Sequence, residues 1–337
     1  MNTKLYTGTG SSNAQTGIGF QPDLVWIKNR ETTGNHAWFN AISGVTKYIN
    51  SNSDYSEQTS APTLTAFGTD GFTVGSSADL NGSGNDIVAW NFKANGAGSA
   101  NSDGATSSTV SANTTAGFSI VKWTGTGSAT TIGHGLGAVP KMIIVKNLGQ
   151  NLDWRVGHTS IAWTHRLCLN SNSAENNDDS AWNDTAPTSS VFTVGSSTCT
   201  NSSGYEMIAY VFTDKVGYST FSKYIGNNST DGTFVYTGFK PTFILLKQVN
   251  AERDWYIYDT KRLGYNSDAS ASVGNTSLRA GKDHSEASSS GYYLDILSNG
   301  FKLRIANVGN NGSGDTYCYM AFGNTIVGTN NVPATGR

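Results

Sequence analysis

Two residue types recur at matched places along this chain and could together hold a ligand. Lys28, Lys146 and Lys247 each close a short apolar run, and Trp38, Trp154 and Trp255 each follow a short polar loop. An indole stacks on the apolar face of a sugar ring while an ammonium donates hydrogen bonds to hydroxyls, so the six residues suit a carbohydrate platform. The competing reading is structural: the Trp caps a core and the Lys marks the wet end of a strand.

Other chemistry finds less footing. The histidines, His36, His134, His158, His165 and His284, have no metal-ligand spacing. His134 lies in Gly133-His-Gly-Leu-Gly137 and reads as a turn residue. Cys168, Cys199 and Cys318 are odd in number and far apart, so neither a disulfide framework nor a metal cluster is expected. Gly8 with Gly10, and Gly125 with Gly127, resemble a phosphate loop only at a glance, because no Lys-Ser/Thr and no helix follow. A glycosidase needs two placed carboxylates. Asp70 with Asp86, or Asp254 with Asp259, could be chosen, but no acidic pair recurs, and solvated loop acids are the better reading. The expectation is a non-enzymatic protein without cofactor or metal.

Composition supports that expectation. The 337 residues are 37% hydrophobic and only 14% charged, with a formal net charge of -2, so nucleic acid is excluded as a partner. No run of about 18 apolar residues argues for membrane insertion. The start Met1-Asn-Thr-Lys-Leu-Tyr6 has no apolar core of a signal peptide, so assembly in a cytoplasm is expected.

The elements that must position these residues come in three copies. Tyr6-Thr-Gly-Thr-Gly10 returns as Trp123-Thr-Gly-Thr-Gly127 and as Tyr224-Ile-Gly-Asn-Asn228. Gly19-Phe-Gln-Pro-Asp-Leu-Val-Trp-Ile-Lys-Asn29 returns as Gly137 to Asn147 and as Gly238 to Gln248, aligning Pro22, Pro140 and Pro241. The three tryptophans form a third anchor. Gly71-Phe-Thr-Val-Gly75, Val191-Phe-Thr-Val-Gly195 and Gly300-Phe-Lys-Leu-Arg304 form a fourth. Asn81-Gly-Ser-Gly84, Asn201-Ser-Ser-Gly204 and Asn311-Gly-Ser-Gly314 precede the apolar runs at Ile87, Met207 and Tyr317. Five anchors in one order predict an all-β chain of three tandem antiparallel β-sandwich repeats, jelly-roll or lectin-like. The boundaries are 1–97, then 98–216 as linker plus second repeat, then 217–337 as third repeat with a short tail.

Local patterns add detail. Met142-Ile-Ile-Val145 does not alternate and predicts a strand buried on both faces. Phe301-Lys-Leu-Arg-Ile305 alternates and predicts one wet face. The Asn-Gly-Ser-Gly anchor reads as a hairpin entering the last strand of a unit. The Gly/Ser/Ala/Asn-rich stretch Asn95 to Thr115 reads as a linker that lets unit one move from unit two. The third copy aligns worst over Asn266 to Ser290, where loop insertions are expected.

The anchors also resemble a known group. Gly19 to Arg30, Asp70 to Gly75 and Val88-Ala-Trp90 are similar to a repeat of tail-fibre-like virion proteins of marine tailed phages. Thr109 to Val121 and Ile132 to Asn147 resemble it more closely. The resemblance implies a lectin-like sandwich on a virion, in contact with host glycans, and supplies no catalytic residues. A tail or fibre-type component is the expectation, with capsid decoration, a free carbohydrate-binding module and a polysaccharide depolymerase as alternatives. Expected partners are other virion proteins and further copies of the chain. Because the first anchor starts so near Met1, particle attachment is expected to run through the sandwiches themselves.

Overall fold

A strand can be apolar on both sides only if something covers each side, and in the computed structural model two different things do. The structure describes residues 1–262, 266, 276–288 and 293–325. Of the poorly aligning stretch Asn266 to Ser290, residues 267–275 and 289–290 fall outside those residues, as does the tail after Thr325.

The N-terminal third holds β1 (Asn2–Thr7), β2 (Asn13–Gln15), β3 (Leu24–Asn29), β4 (Ala37–Asn40), β5 (Lys47–Tyr48), β6 (Gln58–Thr59), β7 (Leu64–Gly68), β8 (Gly71–Val74) and β9 (Asp86–Phe92). A single helical turn, α1 (Ala78–Asn81), precedes β9. The main sheet runs β1-β9-β3-β4 and a smaller one β2-β8-β7, all antiparallel.

The middle third holds β10 (Ser99–Asn101), β11 (Ser108–Asn113), β12 (Phe118–Thr124), β13 (Thr130–Gly133), β14 (Met142–Asn147), β15 (Arg155–His158), β16 (His165–Arg166), β17 (Asn176–Asn177), β18 (Val191–Val194) and β19 (Glu206–Phe212). Two more helical turns, α2 (Asp179–Trp182) and α3 (Thr198–Asn201), lie between them. The main sheet runs β10-β11-β12-β19-β14-β15, and β13 pairs with β18.

The last third holds β20 (Ser219–Ile225), β21 (Phe234–Tyr236), β22 (Phe239–Gln248), β23 (Tyr256–Asp259), β24 (Thr276–Arg279), β25 (Ala287–Ser288), β26 (Leu294–Leu297), β27 (Gly300–Leu303) and β28 (Thr316–Thr325). Its sheets run β20-β28-β22-β23-β24-β25 and β21-β27-β26.

Side-chain alternation then sorts the core. In β14, Ile143 and Val145 pack with Phe192 and Val194 of the small sheet. Met142 and Ile144 turn the other way, into a cluster that also takes Leu24 and Trp26 of β3 and Phe243 and Leu245 of β22. Val25 and Ile27 join the N-terminal small sheet, and Ile244 and Leu246 the C-terminal one. Each main sheet therefore covers its own small sheet with one face and shares a common core with the other. At the middle of that core Phe92, Phe212 and Phe322 form a triangle, with centroid separations of 6.2, 6.1 and 5.5 Å. Ring pairs at these distances add edge-to-face attraction to the burial of apolar area.

Three expectations change. The stretch read as a linker supplies β10 and β11, which extend the middle sheet in register from Ser99↔Val110 to Asn113↔Phe118. Its Ser, Thr and Asn side chains suit an outer strand with one wet face, which composition alone confuses with a linker. It is also tied back: the Asp23 carboxylate accepts from the Ala94 and Gly96 N–H groups, and Ser111 Oγ from the Asn95 N–H. Second, Pro22 and Pro140 sit two residues before their strands, but Pro241 lies inside β22, at a register shift against β28. Third, Asn81 and Asn201 end single helical turns rather than opening hairpins.

Candidate functional site

The six residues singled out for ligand binding are interior. Trp38, Trp154 and Trp255 are 2%, 0% and 1% exposed, and Lys28, Lys146 and Lys247 are all 0%. No indole face is open to stack on a sugar, so the platform reading is corrected: Lys146, Lys247, Trp154 and Trp255 tie neighbouring thirds of the chain together, Trp38 packs against Tyr210 of the middle third, and Lys28 bonds to carbonyls of its own third. The cause is the shared core. Lys146 follows Met142 and Ile144 on the inward face of β14, so it points at a neighbouring third instead of water.

The seams show how. Between the first and middle thirds, Lys146 Nζ donates to the Leu152 carbonyl at 2.7 Å and across to the Asp54 carbonyl at 3.0 Å. Trp154 Nε1 donates to the Asn50 carbonyl at 2.9 Å, and the Glu57 N–H to the Leu148 carbonyl at 2.8 Å. Between the middle and last thirds, Lys247 Nζ donates to the Gln248 carbonyl at 2.6 Å and across to the Asn172 carbonyl at 3.3 Å. Trp255 Nε1 donates to the Cys168 carbonyl at 2.7 Å, and the Glu175 N–H to the Val249 carbonyl at 2.7 Å. Between the last and first thirds the Glu286 N–H donates to the Arg30 carbonyl at 2.6 Å, which closes the circle.

At this third seam the tryptophan alignment fails. The registers pair Leu24 with Asn40, Met142 with His158 and Phe243 with Asp259, so His36, not Trp38, occupies the place of Trp154 and Trp255. Counting eight residues on from each lysine would have found it. Trp38 instead matches Val156 and Ile257, which the pairings of Trp26, Ile144 and Leu245 place at the same rung. Trp38 fills core, 4.8 Å from the Tyr210 ring. His36 Nδ1 accepts from Trp26 Nε1 at 2.8 Å, and burial holds its pKa well below the ordinary histidine value.

Burying the lysines carries an electrostatic cost. Burial pulls all three down to about 8, against the opposing pull of nearby acids such as Asp283 for Lys28 and Asp54 and Asp153 for Lys146. A lysine so lowered can be a nucleophile where a substrate reaches it. Here each Nζ is spent on main-chain carbonyls.

The remaining candidates are similarly committed. Asp259 accepts from Trp90 Nε1 at 3.0 Å and pairs with Arg262, whose guanidinium lies 5.4 Å from the Trp90 ring centroid. Glu286 bridges Arg262 and Arg30 at the same seam. Asp70 accepts from the Gly17 and Gly19 N–H groups, which hold its carboxyl below the usual range. Asp86 lies 3.5 Å from Arg30, and Asp254 pairs with Arg279 at 2.9 Å. His134 Nδ1 accepts from the Leu136 N–H inside its turn. The three cysteines are free and buried, and two guanidinium groups, of Arg155 and Arg166, donate to Cys168 Sγ. Among the described residues no three His, Cys, Asp or Glu side chains converge as metal ligands.

The glycine loops also have a structural partner that the sequence reading passed over. Asn201 is fully buried; its Nδ2 donates to Thr126 Oγ1 and to the Ser128 and Gly195 carbonyls, and its Oδ1 accepts from the Thr126 N–H. Asn81 makes the corresponding bonds to Thr9, Ser11 and Gly75, and Asn311 to Asn227, Ser229 and Ile305. Gly125 is required by contact, since a Cβ there would lie 2.1 Å from the Ser202 carbonyl oxygen. The Thr126 and Gly127 N–H groups, which a phosphate loop would turn to its ligand, are taken by Asn201.

A groove of about 480 Å³ runs past Ala100, Thr109, Lys122 and Glu206, with Lys122 and Glu206 paired at 2.8 Å. No helix among the described residues is long and apolar enough to cross a membrane. No curated protein and no solved structure matches the chain. The DUF7483 family, described as a domain of unknown function, matches residues 1–325, and the chain, with its three seams and shared core inside that span, belongs to this family.

Proposed function

We propose that this chain is a non-enzymatic structural component of a tailed-phage particle, of tail or fibre type and in contact with the host surface, built from three tandem copies of one jelly-roll or lectin-like sandwich. The observation that carries the reading is the fate of the chemically capable side chains. Lys146 and Lys247, Trp154 and Trp255, and Asp259 are used to bind one third of the chain to another. That is the economy of a scaffold, whereas an active site keeps such groups facing a cavity.

Three matched features support the tandem copies. The strand after Pro22, after Pro140 and around Pro241 lies between the last strand of its third and the following short strand, as β9-β3-β4, β19-β14-β15 and β28-β22-β23. Asn81, Asn201 and Asn311 hold the same loop. The N–H groups of Glu57, Glu175 and Glu286 make the same bond around a circle, whose centre is the phenylalanine triangle. The virion assignment rests on the resemblance of the anchors to tail-fibre-like proteins.

The test is to locate the polypeptide on purified virions by cryo-electron microscopy or gold-labelled antibody. Density at the tail or its fibres is the expected result. A lattice on the head would shift the assignment to capsid decoration, and absence from particles would refute it. Release of reducing ends from host polysaccharide by the purified chain would refute the non-enzymatic part.

A further inference from the structure

An outer strand of a sheet displays unpaired main-chain groups, and chains blunt such edges with charges, prolines, bulges or a covering segment. The three small sheets treat the edge differently. In the middle third, β13 is covered by residues that precede β11: the Thr106 N–H donates to the Thr131 carbonyl at 3.1 Å and the Ala105 N–H to Thr131 Oγ1 at 2.9 Å. In the first third, β2 is Asn-Ala-Gln and offers no large apolar side chain. In the last third the edge is β21, and among the described residues no strand pairs with its outer side. It carries no charge, and Phe234 and Tyr236 are 44% and 64% exposed. Ile225, also exposed, lies beside it, its carbonyl accepting from Thr233 Oγ1.

The sequence of this edge is symmetric about Val235: Thr233-Phe-Val-Tyr-Thr237. Its inner side is fixed by the Leu303 N–H to the Thr233 carbonyl, by the pairing of Val235 with Phe301, and by the Thr237 N–H to the Asn299 carbonyl. Antiparallel alternation then turns the N–H and C=O of Phe234 and of Tyr236 outward. Two such edges related by a twofold axis at Val235 place Phe234 opposite Tyr236 of the other copy, the hydrogen-bonded pair, twice. The same register sets Thr233 opposite Thr237. Aromatic and Thr–Thr cross-strand pairs are favourable, and no like charges oppose each other. A self-complementary patch is what a twofold contact between identical subunits requires.

We propose that β21 is a homodimerisation edge, joining the small sheets of two copies of this chain as β26-β27-β21-β21-β27-β26 across a twofold axis. The side chains of Phe234 and Tyr236 from both copies line one face of the joint, and Val235, 5% exposed, stays in each core. The inference goes beyond the proposed function and does not depend on where the protein resides.

The test is sedimentation equilibrium of the full chain over a concentration series, with three variants. Tyr236→Pro removes an outward N–H and leaves the bonds to β27 intact. Tyr236→Lys places a charge on the edge and keeps the backbone, so it carries the test if the proline variant does not fold. Tyr55→Lys, at an exposed aromatic elsewhere, is the control. The expected result is a dimer for the native chain and the control, and association weakened roughly 10- to 100-fold in both Tyr236 variants at an unchanged melting temperature. A native chain that stays monomeric refutes the proposal. So does a dimer unaffected by either variant. A chain ending at Thr325 that dimerises where the full chain does not would mean that residues 326–337 take the edge in the same molecule, which also refutes it. A monomer found on virions would defeat this inference and leave the proposed function standing; a dimer absent from virions would do the reverse.

Discussion

Replacing Asn201 tests whether the glycine loops are held by one side chain. The amide makes four hydrogen bonds in a fully buried place: three from Nδ2, to Thr126 Oγ1, the Ser128 carbonyl and the Gly195 carbonyl at 3.0, 2.7 and 2.9 Å, and one to Oδ1 from the Thr126 N–H at 2.9 Å. At about 0.5–1.5 kcal/mol per bond, removing all four in Asn201→Ala costs about 2–6 kcal/mol. The informative comparison is Asn201→Asp. It keeps the shape and the acceptor but loses every donor, and it sets a carboxylate against two carbonyl oxygens. If the donors matter, Asp destabilises at least as much as Ala; if the side chain only fills space, Asp is nearly harmless. Urea unfolding followed by tryptophan fluorescence reads both, and acid, which protonates the carboxyl, should recover part of the loss. An Asn201→Asp protein within about 1 kcal/mol of the native one would refute the reasoning.

Three further outcomes are expected. Ile144→Ala, at a fully buried site in the shared core, should lose about 2–5 kcal/mol in denaturant unfolding, as lost transfer energy plus a cavity. Glu286→Gln should cost about 1.5–3 kcal/mol because Arg262, fully buried, keeps Asp259 but loses its second charged partner, whereas Glu57→Gln, which breaks a 3.8 Å contact to the exposed Lys47, should cost under about 1 kcal/mol. Stability should rise with pH between about 8 and 9, where the folded-state lysines begin to release protons that the unfolded chain, at the ordinary 10.5, still holds; above that window the buried Cys318 thiol, pushed up to about 12, pulls the other way. The cost of charging them is fully present below the folded value and relieved as pH climbs through that window. Melting temperatures in a buffer series check this, and the slope should shrink in Lys146→Met.

Much of the strand pattern was legible because its cause is local. Phe72 and Val74, Phe192 and Val194, and Phe301 and Leu303 alternate since each faces a single core. The non-alternating runs also announced two buried faces. What they could not announce was the identity of the second cover, and that gap misdirected the site: with water assumed beyond Lys28, Lys146 and Lys247, an ammonium beside an indole looks like a sugar platform. Carbonyl acceptors such as Asp54, Asn172 and Cys168 have no signature in sequence, because any residue supplies the same oxygen. Trp38 was misaligned for a related reason. A tryptophan is conspicuous, and His36, the true counterpart of Trp154 and Trp255, differs in chemistry while keeping the buried ring at its rung.

The circle of seams separates the order of contact from the order of the chain. The first third meets the last through Glu286, Arg30 and Arg262, as it meets the middle third through Lys146 and Trp154, yet no peptide bond links first to last. One seam thus holds by side chains and main-chain bonds alone. The turn Lys215 to Tyr218, where Val216 projects fully into solvent, is the peptide bridge at another. Opened there by a protease, the two fragments would remain face to face, and the same point could serve as new termini for a permuted chain.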